Sequence, residues 1–187
     1  MPSPIGHALG GAVVGALLAP ASRPRELAGR HPAAALLTSS VVVAAAVAAC
    51  LPDVDFLWGR HNMETHSVGA AAAAAAAAWV WRRDRRLALA VGLAWLTHVA
   101  FDWLGSDDTP PLGVMALWPC SSAFYFADAY VFAAISRRYW LPGFAAHNAW
   151  AVVRELAMLA PVLAAAVALR TQPPRRGASA ADQNWNR

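Results

Sequence analysis

Apolar residues fall into six runs along the chain, at about 5 to 19, 33 to 51, 67 to 81, 87 to 104, 122 to 136 and 150 to 169. Their Ala and Leu content favours helix, and their apolarity on every side calls for burial in lipid or among other helices. The second, fourth and sixth runs are the strongest. Several of the others fall short of the roughly 20 residues that cross a bilayer upright, which predicts local thinning or re-entrant packing. The nine alanines from Ala70 to Ala78 form helix well but are weakly hydrophobic, so this run is expected to pack centrally between other helices. The pattern predicts an all-α, polytopic transmembrane bundle of about five to six short helices. One membrane-embedded domain spans residues 1–170, and a disordered basic and polar tail, 171–187, follows it.

Composition agrees with a lipid solvent: 58% of residues are hydrophobic and 14% charged, far from the balance of a soluble domain. Nine tryptophans, among them Trp79, Trp81, Trp103, Trp118, Trp140 and Trp150 at the ends of apolar runs, suit the headgroup layer. All basic residues are arginine, and the net charge is +4. They fall singly or in short groups between apolar runs, not on one soluble surface, which argues against nucleic-acid binding. The first run has no Arg before it and contains His7, so it reads as a mature helix, not a secretory signal.

Arginine placement predicts orientation. Connections 20–32 (Arg23, Arg25, Arg30), 82–86 (four Arg) and 137–138 (two Arg) read as cytoplasmic. Connections 52–66 and 105–121, poor in Arg and holding Asp53, Asp55, Asp107 and Asp108, read as extracytoplasmic, together with the N-terminus. A sixth crossing would then place Arg170, Arg175 and Arg176 outside, so either the fifth or the sixth run is not a full crossing.

Ionisable groups at membrane helices are costly and mark a pathway, a pair or a metal site. Here they are His7, Asp53, Asp55, His61, His66, His98 and Asp102, all placed at one membrane face by a topology assigned without them. His98 and Asp102 are four apart, so one helix presents both to a shared ion. Pro52 ends a helix and sets Asp53 and Asp55 two apart. Imidazoles with carboxylates are the ligand set of catalytic zinc and related divalent ions. Each group also has a plainer reading: His98 as a packing residue, His7 at the interface, Asp53 and Asp55 as caps. His31 and His147 are expected on the opposite side, outside any site. Asp128, inside the fifth run, reads equally as a supporting partner or as a helix–helix hydrogen bond. Cys50 and Cys120 are expected as two buried free thiols.

The motifs Ile5-Gly6-His7, Leu51-Pro52-Asp53-Val54-Asp55, His61-Asn62-Met63-Glu64-Thr65-His66-Ser67, Thr97-His98-Val99-Ala100-Phe101-Asp102 and Leu117-Trp118-Pro119 occur in order over roughly residues 1 to 136. In order and spacing they resemble the YdjM-like family of inner-membrane proteins, described as metal-dependent hydrolases. That family usually has Arg after the first His of the third motif, where this chain has Asn62, with Arg60 just before. A fainter similarity runs to zinc-dependent phospholipase C and P1-type nucleases, whose later His-x-x-x-Glu helix has no counterpart here, since His147 is followed four on by Ala151.

The resemblance implies a membrane-embedded hydrolase of the inner membrane, and the arginine placement puts its site on the extracytoplasmic face. His7, Asp53, Asp55, His66, His98 and Asp102 are the expected ligands of a divalent ion, zinc first. Asp53 and His61 are the expected catalytic groups, and an ester or phosphoester of a lipid or lipid-linked molecule is the expected substrate. The competing expectation is a transporter or ion-binding membrane protein using the same cluster.

Overall fold

The computed structural model describes residues 1–20, 29–59, 61–107 and 110–172. The expected tail from 173 onward, and Arg23, Arg25, Arg60, Asp108, Arg175 and Arg176, lie outside the described residues. Helices run in the order α1 (Pro4–Leu18), α2 (Pro32–Leu37), α3 (Ser40–Ala48), a 3₁₀ helix (Leu51–Trp58), α4 (Val68–Arg82), α5 (Arg85–Leu104) and α6 (Phe144–Thr171). Among the described residues there is no strand, only two isolated bridges. The all-helical expectation therefore holds.

The count of crossings does not. Among the described residues two helices are long and apolar enough to span a membrane, α5 and α6, or three if α3 and the 3₁₀ helix, bent by 41° at their junction, count as one. These are the three strongest apolar runs, but five to six were expected. At 15 residues each, α1 and α4 are about 22 Å long, well short of a hydrocarbon core of about 30 Å.

Residues 122–136 form no helix at all. They lie extended across the end of α5, where their backbone finds its partners: Ala127 N–H donates to Trp103 O, Val131 N–H to Leu104 O, and Phe132 O accepts from Ser106 N–H. Phe132 is buried against Phe101, with ring centroids 4.7 Å apart. Asp128 is exposed, has a positive φ of 51° and pairs with the Tyr130 hydroxyl, so it bonds neither to another helix nor to the His/Asp cluster.

Packing also relocates the centre of the bundle. The alanine helix α4 lies at the edge, against α5 alone among the helices, with much of its surface exposed. The central helix is α1, which touches α2, α3, α5 and α6. Its buried face, Gly6, His7, Gly10, Gly11, Gly15 and Ala16, is mostly glycine. A Cβ on Gly15 would stand 2.6 Å from the Val42 Cα, and one on Gly11 would meet the Ala45 carbonyl and stand 2.7 Å from the Ala49 Cβ. Only small residues let two helix backbones approach that closely. His7 lies four and eight residues before these glycines on the same stripe, so the packing that seats α1 on α3 also sets the depth of His7.

A second tie fixes the start of α1. Glu155, fully buried in α6, accepts from Ser3 N–H at 2.7 Å and from the Ser3 hydroxyl, while Ser3 Oγ caps Gly6 N–H. The carboxylate thus rests on the positive end of the α1 dipole. The far ends of the same helices meet as well, where Arg170 of α6 donates to Ala19 O.

If these contacts seat α1, Gly11→Val should destabilise the detergent-solubilised protein by about 1–3 kcal/mol through overpacking. Thermal unfolding compared with an exposed control, Leu17→Val, checks this; equal midpoints would mean α1 tolerates a wider separation from α3.

Candidate metal centre

Three separate stretches of chain supply the converging ligands. The 3₁₀ helix begins at Leu51-Pro52, where proline ends the preceding run, and turns Asp53 and Asp55 inward. His66 stands just before the N-cap of α4, whose Ser67 hydroxyl accepts from Ala70 N–H. The loop bearing Leu117-Trp118-Pro119 completes that cap: Val68 N–H donates to Ala116 O and Gly69 N–H to Trp118 O. Two otherwise orphaned first-turn donors of α4 are thereby satisfied. Trp95 Nε1 holds the Thr65 carbonyl at 2.7 Å, so His66 is gripped on both sides. Asn62 adopts a left-handed φ of 64°, which asparagine tolerates, and its carbonyl accepts from Met115 N–H. His98 and Asp102 project from one face of α5, and both are buried.

Asp53 Oδ1, His66 Nε2, His98 Nε2 and an Asp102 carboxylate oxygen converge. The separations are 3.6 Å for His66 to Asp53, 3.7 Å for His98 to Asp53, 3.4 Å for His66 to Asp102 and 3.0 Å for His98 to Asp102. Ligands about 2.0–2.1 Å from a tetrahedral ion lie roughly 3.3–3.4 Å apart, so this spread brackets the edge of a zinc-sized tetrahedron. His66, His98 and Asp102 are almost completely buried, while the Asp53 side chain is 20% exposed.

What lies behind each imidazole decides what its front atom is. His98 Nδ1 sits 2.7 Å from Ala49 O, an acceptor only, so Nδ1 carries the proton and Nε2 turns a lone pair inward. His66 Nδ1 faces Asp55 Oδ2 at 3.2 Å and the Thr65 hydroxyl at 3.0 Å, again leaving Nε2 inward. Such backing by a carbonyl or carboxylate is the usual support of metal-ligating histidines. None of the four converging atoms has a hydrogen-bond partner among the described residues, although each is buried. Two lone pairs and two carboxylates facing one another repel unless a cation or a proton stands between them. Burial alone would lower the pKa of His66, but the carboxylates of Asp53, Asp55 and Asp102 that face it outweigh that and raise it to about 9, so a positive charge is favoured at its inward edge. The residues present therefore fit a divalent cation.

His7 lies beside this group. Its ring stacks on His98 with centroids 3.8 Å apart, and its Nε2 is 3.4 Å from Asp102 Oδ1, the oxygen turned away from His66 and His98. Both of its ring nitrogens are buried without a hydrogen-bond partner. Asp55 stands behind His66, with Oδ1 on His61 Nδ1 at 2.8 Å and Oδ2 accepting from Thr65 at 2.8 Å. Asp55, His61 and His66 are a second group close enough to share an ion, though the short His61–Asp55 hydrogen bond already satisfies one of its edges. All seven residues singled out from the sequence thus meet in one region.

Other expectations fare differently. His147, expected on the opposite side, lines the same cavity as His61, as do Arg137 and Arg138. With residues 122–136 not crossing the bundle, that arginine pair stays at the end of the molecule that holds the centre. His31 is exposed and caps α2, away from the centre. Cys50 and Cys120 are free thiols, but Cys50 is half-buried and Cys120 exposed, because neither packs in the core. Sequence reasoning missed Thr65, the Ala49 carbonyl and Glu155. Glu155 carried a signal, being the only acid within the sixth apolar run. A backbone carbonyl carries none.

No curated protein and no solved structure matches the chain, so the likeness to phospholipase C and P1-type nucleases gains no support. A family model described as YdjM inner membrane protein matches residues 1–173 and so reaches past the last recognised motif to take in Glu155 and all of α6. With that match covering all but its last residues, the chain belongs to the YdjM inner membrane protein family.

Proposed function

We propose that this protein is a membrane-embedded, metal-dependent hydrolase in which His66, His98 and Asp102 hold a divalent cation that Asp53 faces at longer range, zinc by the character of its ligands. The observation that carries the reading is the meeting of four unpartnered, buried ligand atoms at 3.0–3.7 Å, with both imidazoles held from behind. A cation bound there would polarise an ester or phosphoester oxygen and acidify water.

The chain's own groups divide the remaining work. His66, His98 and Asp102 are the closely spaced, buried holders. Asp53 stands at the longer separations and alone among the four reaches solvent, so it is placed to accept a proton from water entering on that side. Asp55 and Thr65 fix the orientation of His66, and His61 hydrogen-bonds Asp55 while facing the cavity. His7 supports Asp102 from the far side. The centre lies at one end of the membrane-length helices, which favours a lipid or lipid-linked headgroup ester as substrate.

Orientation follows from the arginines. Arg82, Arg83, Arg85 and Arg86 stand at the start of α5, some 30 Å from its site-bearing end, and Arg170 lies at the corresponding end of α6. Together they outnumber Arg137 and Arg138, which supports an extracytoplasmic centre in the inner membrane.

A second reading, an ion-binding or transport protein without catalysis, draws on the near-complete burial of His66, His98 and Asp102, a trait shared by sites that retain or pass ions.

Metal analysis of the purified protein should show bound zinc in the wild type and its loss in His98→Ala and Asp102→Ala. Unchanged content in both variants would dismiss the centre. Asp53→Asn should retain most of the metal while hydrolysis of lipid phosphoesters falls by about 10²–10⁴-fold, the usual worth of a general base. Parallel loss of metal and activity would make Asp53 a holder only. Chelation should abolish turnover in the wild type; a metal-loaded protein inert on lipids that moves cations across vesicles would favour the second reading.

A further inference from the structure

The end of the molecule that bears the centre also encloses a cavity of about 970 Å³. Its polar lining includes His61, Arg137, Arg138 and His147, and its apolar lining includes Phe56 and Ile135. Among the described lining residues the acid is Asp107, whose Oδ2 accepts from Gly113 N–H at 3.0 Å. Cationic and titratable nitrogen groups thus dominate one part of a cavity whose remaining wall is apolar.

The arginines are held in place by a built arrangement. Asn148 of α6 grips Ser136 twice, accepting its N–H at 2.8 Å and donating to its carbonyl at 2.9 Å, and His147 Nε2 bonds Ala134 O at 2.8 Å. Residues 134–136 are so clamped to the first turns of α6, and Arg137 and Arg138 follow directly. The Arg137 guanidinium lies 4.4 Å over the Phe56 ring, which sets a cation against the apolar wall. His61 joins the cavity to the centre: it lines the one and stands with its ring 4.8 Å from that of His66 in the other.

We propose that this cavity binds the phosphate group of an anionic amphiphile, with Arg137 and Arg138 holding the phosphate and the wall of Phe56 and Ile135 taking the apolar part. Guanidinium groups match phosphate oxygens in charge and geometry. The volume lies at the upper end of small-molecule sites and far exceeds what a bare phosphate fills. The assignment rests on the hydrolase reading only for what happens to the bound molecule; binding itself stands apart from it.

The test is calorimetric titration of the full-length protein in a neutral detergent, once with dihexanoyl phosphatidic acid and once with inorganic phosphate, with bound zinc measured on every sample. Phosphatidic acid should bind, and the double variant Arg137→Ala/Arg138→Ala should weaken it at least about tenfold, the worth of one charge-assisted hydrogen bond. Arg137→Lys/Arg138→Lys should recover part of that loss. Arg82→Ala/Arg83→Ala, at the opposite end, should bind as the wild type does. Failure of phosphatidic acid to bind, or equal weakening by the two alanine pairs, overturns the assignment. Inorganic phosphate binding as tightly as phosphatidic acid overturns the role of the apolar wall. Arginine-dependent binding in a protein that carries no zinc would sink the metal centre and leave the cavity standing; zinc without such binding does the reverse.

Discussion

The structure is organised around an electrostatic problem: two carboxylates and the lone-pair edges of two imidazoles are pressed together with their inward atoms buried. Apart, each would be hydrated; together and buried, they repel in a medium that screens poorly. Among the described residues no hydrogen-bond donor reaches any of the four inward atoms. The fold does supply a partner to the outward nitrogen of each imidazole, which turns the lone pairs inward. Such a configuration is stable with a positive charge at its middle, so the scaffold is read most simply as one shaped to hold that charge.

Much of the rest follows from bringing distant segments to one point. The positions 53, 66, 98 and 102 come from a 3₁₀ helix, a loop and one face of α5. Each is held by backbone contacts with no ligand chemistry of their own: proline before Asp53, loop carbonyls on the first turn of α4 after His66, a glycine stripe that sinks α1 to the level of His7. Side chains of the motifs provide the chemistry, and small residues and carbonyls provide the register.

This division explains what the sequence made legible. His98 and Asp102 were readable as a pair because helical spacing is local, and the single-face clustering was readable because arginines report the ends of apolar runs. Ala49 O was not readable, since a carbonyl has no sequence signature. The alanine run misled because composition predicts helix but not neighbours, and the glycines of α1 permit a closer approach than alanine does. The fifth run misled for a different reason. Residues 122–136 are apolar enough for a span, yet they are rich in aromatic residues and extended, and they satisfy their backbone on the end of α5, on Val114 and on Met1. Removing that crossing also removes the parity problem of the last helix: α6 starts at the end holding His147 and finishes beside Ala19, with the other arginines.

Glu155 and the His/Asp cluster apply one rule with opposite outcomes. A carboxylate buried in an apolar helix is costly and must be compensated. At Glu155 the compensation is complete, since Ser3 donates twice and the start of α1 adds its dipole, so nothing there calls for a further partner. At Asp102, equally buried, neither oxygen has a hydrogen bond, and the nearest groups are imidazole nitrogens that offer lone pairs. The chain can satisfy a buried acid with its own donors, as it does at Glu155 of α6, seven residues after the Asn148 that clamps Ser136. That it does so for one acid and not for the other, within the same bundle, leaves the second among groups that could hold a cation.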